Sequence, residues 1–476
     1  MTTTSRTYND LEDYFNDIIK LNPTFAFNIG IKSDYIYSHY ENTYSNEYIN
    51  KFKKILHKYK NTKDISLNYC INNNLQILKY PFHLLPLYSF ENPIINFDYA
   101  NKELYPKNID FLKSRIKDFD DIVDTYIMRM SEGIKKNITI PKIICKKLIK
   151  DLSKPEYKKR YKNLLLFLKN KYLHNCQNKI GLCHLNGGKN MYKLLIRNYC
   201  KYYISPVTIH KYGIKEVEKL YGILKKQKYP KKIYCKSIKE LLNLYKKNYQ
   251  HIKNTIMPKY FNYITKKECK IIKINKNLES STPLAYYNVL LNTFYLNIKN
   301  LNLHEKNDIL SLTMHETIPG HHYQFYYMAE KKLPLYKIYG IDNTAFVEGW
   351  ALYSETLGPQ NKGSVTAQLF RAVRLVVDTG IHYYGWSFKK AFNYMKKYIS
   401  YSNEEIKMEI YRYISLPGQA VTYYLGKKYI LKLRYLYVTK YNLGNIKDFH
   451  DFILEDGVVT FDYLMKKLKT HIAKIK

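Results

Sequence analysis

The stretch MHETIPGHHYQ, residues 314–324, holds the densest group of chemically capable side chains in the chain. Its His-Glu start is half of a His-Glu-x-x-His pattern, in which two imidazoles one helical turn apart bind a zinc ion and the Glu takes a proton from the attacking water. Here, however, the residue four past His315 is Pro319, and the next imidazoles, His321 and His322, stand six and seven positions on. On an unbroken helix the seventh residue returns to the same face about 10 Å along the axis, too far for both rings to reach one ion at about 2.1 Å. Pro319 removes a helical hydrogen bond and Gly320 permits unusual dihedrals, so a two-residue bulge is expected to bring His321 to the second ligand position. The expected ligands are then His315 and His321, with His322 as second choice and Glu316 as the proton acceptor.

A catalytic zinc takes three protein ligands and keeps one position open. The third is expected from VEGWALYSE, on a helix that Asn343 or Thr344 can cap and that stops at Gly358-Pro359. Glu348 stands among Phe346, Val347, Trp350, Ala351 and Leu352, and a carboxylate in apolar surroundings wants a cation. It is favoured over Glu355, which could instead accept a hydrogen bond from a ligand His. One Zn2+ per chain follows. The cluster His174, Cys176, Cys183, His184 matches no common zinc spacing, and Gly181, Gly187 and Gly188 mark a loop there, so it is read as incidental.

The elements that must hold these groups are mostly helices. Helix-compatible apolar spacing covers 8–20, 109–131, 158–173, 213–226, 238–253, 307–318, 343–357, 365–382, 404–414 and 419–438, while 268–274 and 290–297 are the strand candidates. A mainly α fold with a small sheet follows. Residues 225–236, around Pro230, are a loop candidate, and no repeat or Gly/Ser linker divides the chain. One domain over 1–476 is expected, divisible at most into helical lobes of about 1–265 and 266–476.

The 476 residues, 46% hydrophobic and 25% charged, describe a globular chain, and 52 tyrosines spread from end to end reflect a composition bias that says little about function. The net charge of +38 could attract polyanions, but residues 311–360 carry five acids against three lysines, and no zinc finger, RNP-type motif or basic zipper accompanies the excess. A solvated basic surface is expected, without a dedicated nucleic-acid site. The beginning MTTTSRTYNDLEDYFND lacks an apolar signal region, no run reaches membrane-spanning length, and seven cysteines do not form a secreted disulfide framework. A cytoplasmic protein without a membrane partner is expected; the oligomeric state is left open.

Several separated segments resemble the domain of unknown function 885 family, placed among zincin-like peptidases: NPTFAFNIGI, GLCHLNGGKNMYKLLIRNY, IHKYGIKEVEKLYGIL, HETIPGHHYQ, EGWALYSETLG, RAVRLVVDTGIHYYGWS and RYISLPGQAVTYYLG. The resemblance implies a large helical, gluzincin-type peptidase fold with a small β-sheet beside the active-site helix. It also makes His321 look like the second zinc ligand. Peptidases of this kind stabilise the oxyanion with a His and a Tyr, which points to His382, four residues past Asp378 and orientable by it, and to Tyr423. Arg412 is expected to pair with Glu409, or else to steady a substrate carboxylate. The function implied is zinc-dependent hydrolysis of short peptides. The alternatives are a zinc hydrolase of another amide or ester, and a catalytically inactive zincin-like binding protein with a basic surface.

Overall fold

Helices form most of the structure, a computed structural model that describes residues 3–88, 93–226, 233–276, 279 and 283–474. Residues 227–232 of the expected loop lie outside that set. The chain divides into two compact units. The first contains Met1–Asn198, Ser205–His210 and Val377–Ala420, the second Tyr199–Ile204, Lys211–Val376 and Val421–Lys476, so the division crosses the chain several times. No helix is long and apolar enough to cross a membrane, among the described residues.

In the first unit the longest helix is α1, Ile109–Lys135, begun by Asn108, whose side chain accepts from the Asp110 and Phe111 amides. Phe119, Ile122, Tyr126 and Met130 recur at helical spacing and form its buried face. Phe97 stacks on Phe119 at 3.9 Å between ring centroids.

The second unit holds the sheet and most of the sequence-predicted site. Strands β1 (Lys270–Lys273), β2 (Ala285–Asn288) and β3 (Thr293–Leu296) lie in the order β1-β3-β2, with β1 parallel and β2 antiparallel to β3. β1 and β3 fall inside the two expected strands. β2 was not expected, because AYYN is short and half-buried along its length and so carries no alternation. Its register sets Tyr287 opposite Phe294.

Five helices matter here: α2 (Lys306–Glu316), α3 (His321–Glu330), α4 (Thr344–Ser354), α5 (Lys362–His382) and α6 (Thr422–Arg434). α4 is apolar on nearly every side, with Ala345, Phe346, Trp350, Ala351, Leu352 and Tyr353 all buried, as suits a helix inside a core. Burial of Phe346 and Trp350 contributes about 1.5–3 kcal/mol each. α4 and α6 meet through glycine. A Cβ on Gly426 would stand 1.8 Å from the Ala345 carbonyl oxygen, and one on Gly349 would stand 2.5 Å from the Gly426 backbone. The two backbones therefore touch at a distance only glycine allows.

Candidate metal centre

α2 does not continue through a bulge; it stops. Its last residue is Glu316, Thr317 leaves the helical region at φ −111°, ψ −113°, and α3 starts afresh at His321 after Gly320. The Ile318–Pro319 peptide between them is cis. A Cβ on Gly320 would lie 1.9 Å from the His315 carbonyl oxygen and 2.4 Å from that of Met314, so the turn folds back onto the last residues of α2. This return, in place of the expected bulge, carries His321 back to His315; their ring centroids are 5.0 Å apart at 89°. The turn is also tied to α4, since Trp350 Nε1 donates to the Pro319 carbonyl at 2.8 Å and Ser354 Oγ donates to it at 3.3 Å.

α4 supplies the carboxylate. Asn343 is the cap, accepting from the Phe346 amide at 3.0 Å while its own amide donates to the Val459 carbonyl at 2.7 Å. One turn in, Glu348 Oε2 lies 3.5 Å from His315 Nε2 and 3.5 Å from His321 Nε2. The three donor atoms all lie within 4.8 Å of one another, and no other His, Cys, Asp and Glu among the described residues gather so closely. Tetrahedral ligands at about 2.1 Å from zinc stand about 3.4 Å apart. The spacing of Glu348 from each imidazole therefore fits one small ion, and two nitrogens with one carboxylate oxygen are a donor set zinc accepts.

The surrounding charges pull a cation inward. Burial works against a charged His315, but Glu348 and Glu355 more than offset it and raise its pKa to about 9. Burial likewise opposes a charged Glu348, yet hydrogen bonds from His315 and His321 hold it well below the usual carboxylate range. Whether proton or metal ion, positive charge is what these three groups are arranged to hold.

Glu355 takes the other role foreseen for it. Its Oε1 accepts from His315 Nδ1 at 2.8 Å and its Oε2 from Ser311 Oγ at 2.6 Å, which fixes the imidazole with Nε2 turned toward Glu348. Arg371 Nη2 stands 3.9 Å from the same Oε1. Glu316 is buried and accepts from the Tyr287 amide of β2 at 2.9 Å; burial raises its pKa, with His315 and His321 working in the opposite sense. Ser311, Arg371, Trp350 and the Tyr287 amide were not foreseen as parts of the site, although Trp350, inside VEGWALYSE, and Arg371, which opens RAVRLVVDTGIHYYGWS, stood in motifs already singled out.

His322 points away from the cluster. Its Nε2 donates to the Lys267 carbonyl at 2.9 Å, the Tyr287 hydroxyl lies 3.2 Å from its Nδ1, and burial lowers its pKa to about 4. Tyr423 opens α6 in the same unit as the cluster, its ring 4.8 Å from the Arg374 guanidinium.

His382 requires a correction. It belongs to the first unit, its Nε2 donates to the Tyr413 carbonyl at 2.8 Å, and its Nδ1 accepts from the Leu182 amide at 3.2 Å. Both nitrogens are thus engaged by backbone, and burial lowers its pKa to about 4. Asp378 does not orient it, accepting instead from the Tyr192 hydroxyl and from the Gly418 amide at 3.0 Å. Arg412 is structural, 4.0 Å from Glu409 and donating to Gln419 at 2.9 Å. The cysteine and histidine group near residue 180 is not gathered either: Cys176 is buried beside Cys145, and Cys183 Sγ donates to the Ile381 carbonyl at 3.6 Å.

Among solved structures the chain is similar to a lipoprotein candidate from Colwellia psychrerythraea, with a TM-score of 0.82 and 20% identity over 100% of both chains. It is also similar to a lipoprotein candidate of unknown function from Shewanella oneidensis, with a TM-score of 0.71 and 16% identity over 97% of this chain and 99% of that one. At such identities the likeness is one of fold. No curated protein matches the sequence. A family model described as "Bacterial protein of unknown function (DUF885)" matches residues 153–468, well over half of the chain and including the whole His315, His321, Glu348 cluster, and the chain belongs to that family.

Proposed function

We propose that this chain is a zinc-dependent hydrolase of peptide bonds in short peptides, with a zincin-like catalytic fold. The observation that carries the reading is the placement of Glu348 Oε2 at 3.5 Å from both imidazoles, behind an orienting Glu355 and beside a buried Glu316. His315, His321 and Glu348 would hold the ion. Zinc bound there supplies a Lewis acid that polarises a carbonyl and makes water acidic enough to attack near neutral pH.

The rest is work for the chain's own residues. Glu316 takes the proton of the attacking water and returns it to the leaving amine; its raised pKa brings it nearer the operating pH, as a proton carrier requires. Glu355 holds His315 in the tautomer that turns Nε2 toward the ion. The Tyr287 amide holds the Glu316 carboxylate in place. Tyr423 is the phenol assigned to the developing oxyanion. A peptide substrate is favoured over an ester by β2, which lies at the sheet edge with its Tyr287 amide turned from β3 to Glu316, so that Ala285 on the same side can offer backbone groups to an extended chain.

The test is elemental analysis of the purified protein alongside His321→Ala, His322→Ala and Glu348→Ala, followed by a peptide-library digest. About one zinc per chain, lost with His321 and Glu348 but kept with His322, is expected, with cleavage abolished by Glu316→Gln. Wild type that holds no zinc after reconstitution, or that holds it and cleaves nothing, would end the proposal.

A further inference from the structure

Behind His315 the second unit encloses two cations, Arg371 and Lys427. Arg371 is mostly enclosed, its side chain 16% exposed; its Nη1 donates to the Ala367 carbonyl of its own helix at 3.3 Å, and among the described residues its Nε finds no hydrogen-bond partner. Its acidic neighbour among the described residues, Glu355 at 3.9 Å, is already committed to His315 and Ser311. Lys427, one helix away on α6, is 4% exposed, and its Nζ donates to the neutral side chain of Gln368 at 2.9 Å. Burial pulls its pKa down to about 8, Glu355 and Glu216 working against that fall, while Glu216 itself accepts from the Tyr424 hydroxyl at 2.7 Å. Gln368 and Arg371 lie three residues apart on one face of α5. The carboxylates beside these two enclosed cations, Glu355 and Glu216, thus both have other obligations, and buried charge of this kind calls for a counter-ion.

We infer that the missing counter-charge is the C-terminal carboxylate of the substrate, bound by Arg371 and Lys427, and that the protein therefore removes short pieces from the carboxyl ends of peptides. The inference rests on the proposed hydrolase reading. Distance agrees with it. From Arg371 the path to His315 runs 3.9 Å to Glu355 and 2.8 Å onward, and the imidazole lies between that point and the ion. At about 3.4 Å per residue of extended chain, the carboxylate would sit at most roughly three residues past the bond that is cut. A guanidinium presents donors in a planar fork suited to a carboxylate, and an ammonium beside it adds charge without competing for that plane.

The test is a binding selection. The zinc-loaded Glu316→Gln protein is mixed with an equal pool of randomised N-acetylated tetrapeptides as free acids and as C-terminal amides, and the bound fraction is quantified by mass spectrometry. At least tenfold enrichment of acids over amides is expected, falling to within about twofold in Lys427→Met and in Arg371→Gln. Equal recovery of acids and amides, recovery of neither, or acid enrichment that survives in both variants overturns the assignment. Acids and amides bound alike but displaced by acetate would mean that a free anion occupies the cations. Because binding is read on a protein that does not turn over, failure of hydrolysis in the wild type is seen separately, in the peptide digest.

Discussion

Alanine at position 320 would place a methyl carbon 1.9 Å from the His315 carbonyl oxygen and 2.4 Å from that of Met314, both backbone atoms with no side-chain freedom to yield. Restoring an ordinary contact near 3.4 Å requires the turn to retreat by about 1.5 Å, the difference between 3.4 and 1.9. Zinc bonds tolerate about 0.2 Å, so His321 could no longer share an ion with His315 and Glu348 unless α3 moved as a body. Gly320→Ala is therefore expected to lose about 1–3 kcal/mol of stability by overpacking and to weaken zinc at least tenfold. The control is Gly222→Ala, where a Cβ would meet nothing within 4 Å inside a helix; it should be neutral or gain roughly 0.5–1 kcal/mol. Denaturant unfolding reads the first quantity and chelator competition the second. Wild-type zinc affinity in Gly320→Ala would refute the argument that this turn sets the ligand geometry.

Glu355→Ala strands His315 Nδ1 and Ser311 Oγ and should weaken zinc by about 10- to 100-fold while leaving the three ligands present, as chelator competition would show. Trp350→Phe removes the 2.8 Å donor to the Pro319 carbonyl, leaves Ser354 alone on it, and should cost about 1–3 kcal/mol in a denaturant melt. Tyr423→Phe should lower kcat with KM little changed in a peptide assay, the sign of a bond made only at the transition state. For pH, His382 and His450 titrate near about 4 and about 3 when folded and near 6.5 when unfolded, so the unfolded state binds more protons and stability falls as pH drops from 6.5 toward 4. Asp378, raised to about 7 by burial, acts oppositely between 7 and 3.8, so Asp378→Asn should steepen the acid loss measured by pH-dependent melts.

What the sequence disclosed was the chemistry carried by local features. A Glu in an otherwise apolar helix and an imidazole pair interrupted by Pro-Gly both advertise themselves within a dozen residues, and Asn343 is recognisable as a cap by type and place. What it concealed was partnership across distance. Asp378 and His382 have the right spacing to meet, but Tyr192, 186 positions away, and the Gly418 amide claim the acid first, while Leu182 and Tyr413 claim the imidazole. Spacing along one helix says which groups can meet, and packing from elsewhere decides which do. β2 was hidden for a related reason: four half-buried residues carry no period, and only their pairing with β3 makes them a strand. The same holds for Pro319, whose carbonyl matters because α4 brings Trp350 to it.

The glycine contact between α4 and α6 has a consequence for what survives when the proposed ion is removed. Glu348 rides on one of these helices and Lys427 on the other, and their joining depends on backbone against backbone at Ala345, Gly349 and Gly426, with no metal donor in it. Amide hydrogens buried in that seam should exchange only when the whole unit unfolds, whereas those of the turn at Thr317–Gly320 should exchange faster once a chelator has stripped the proposed zinc from its ligands. A demetallated sample would then be an intact frame with a loosened corner, able to be recharged without refolding.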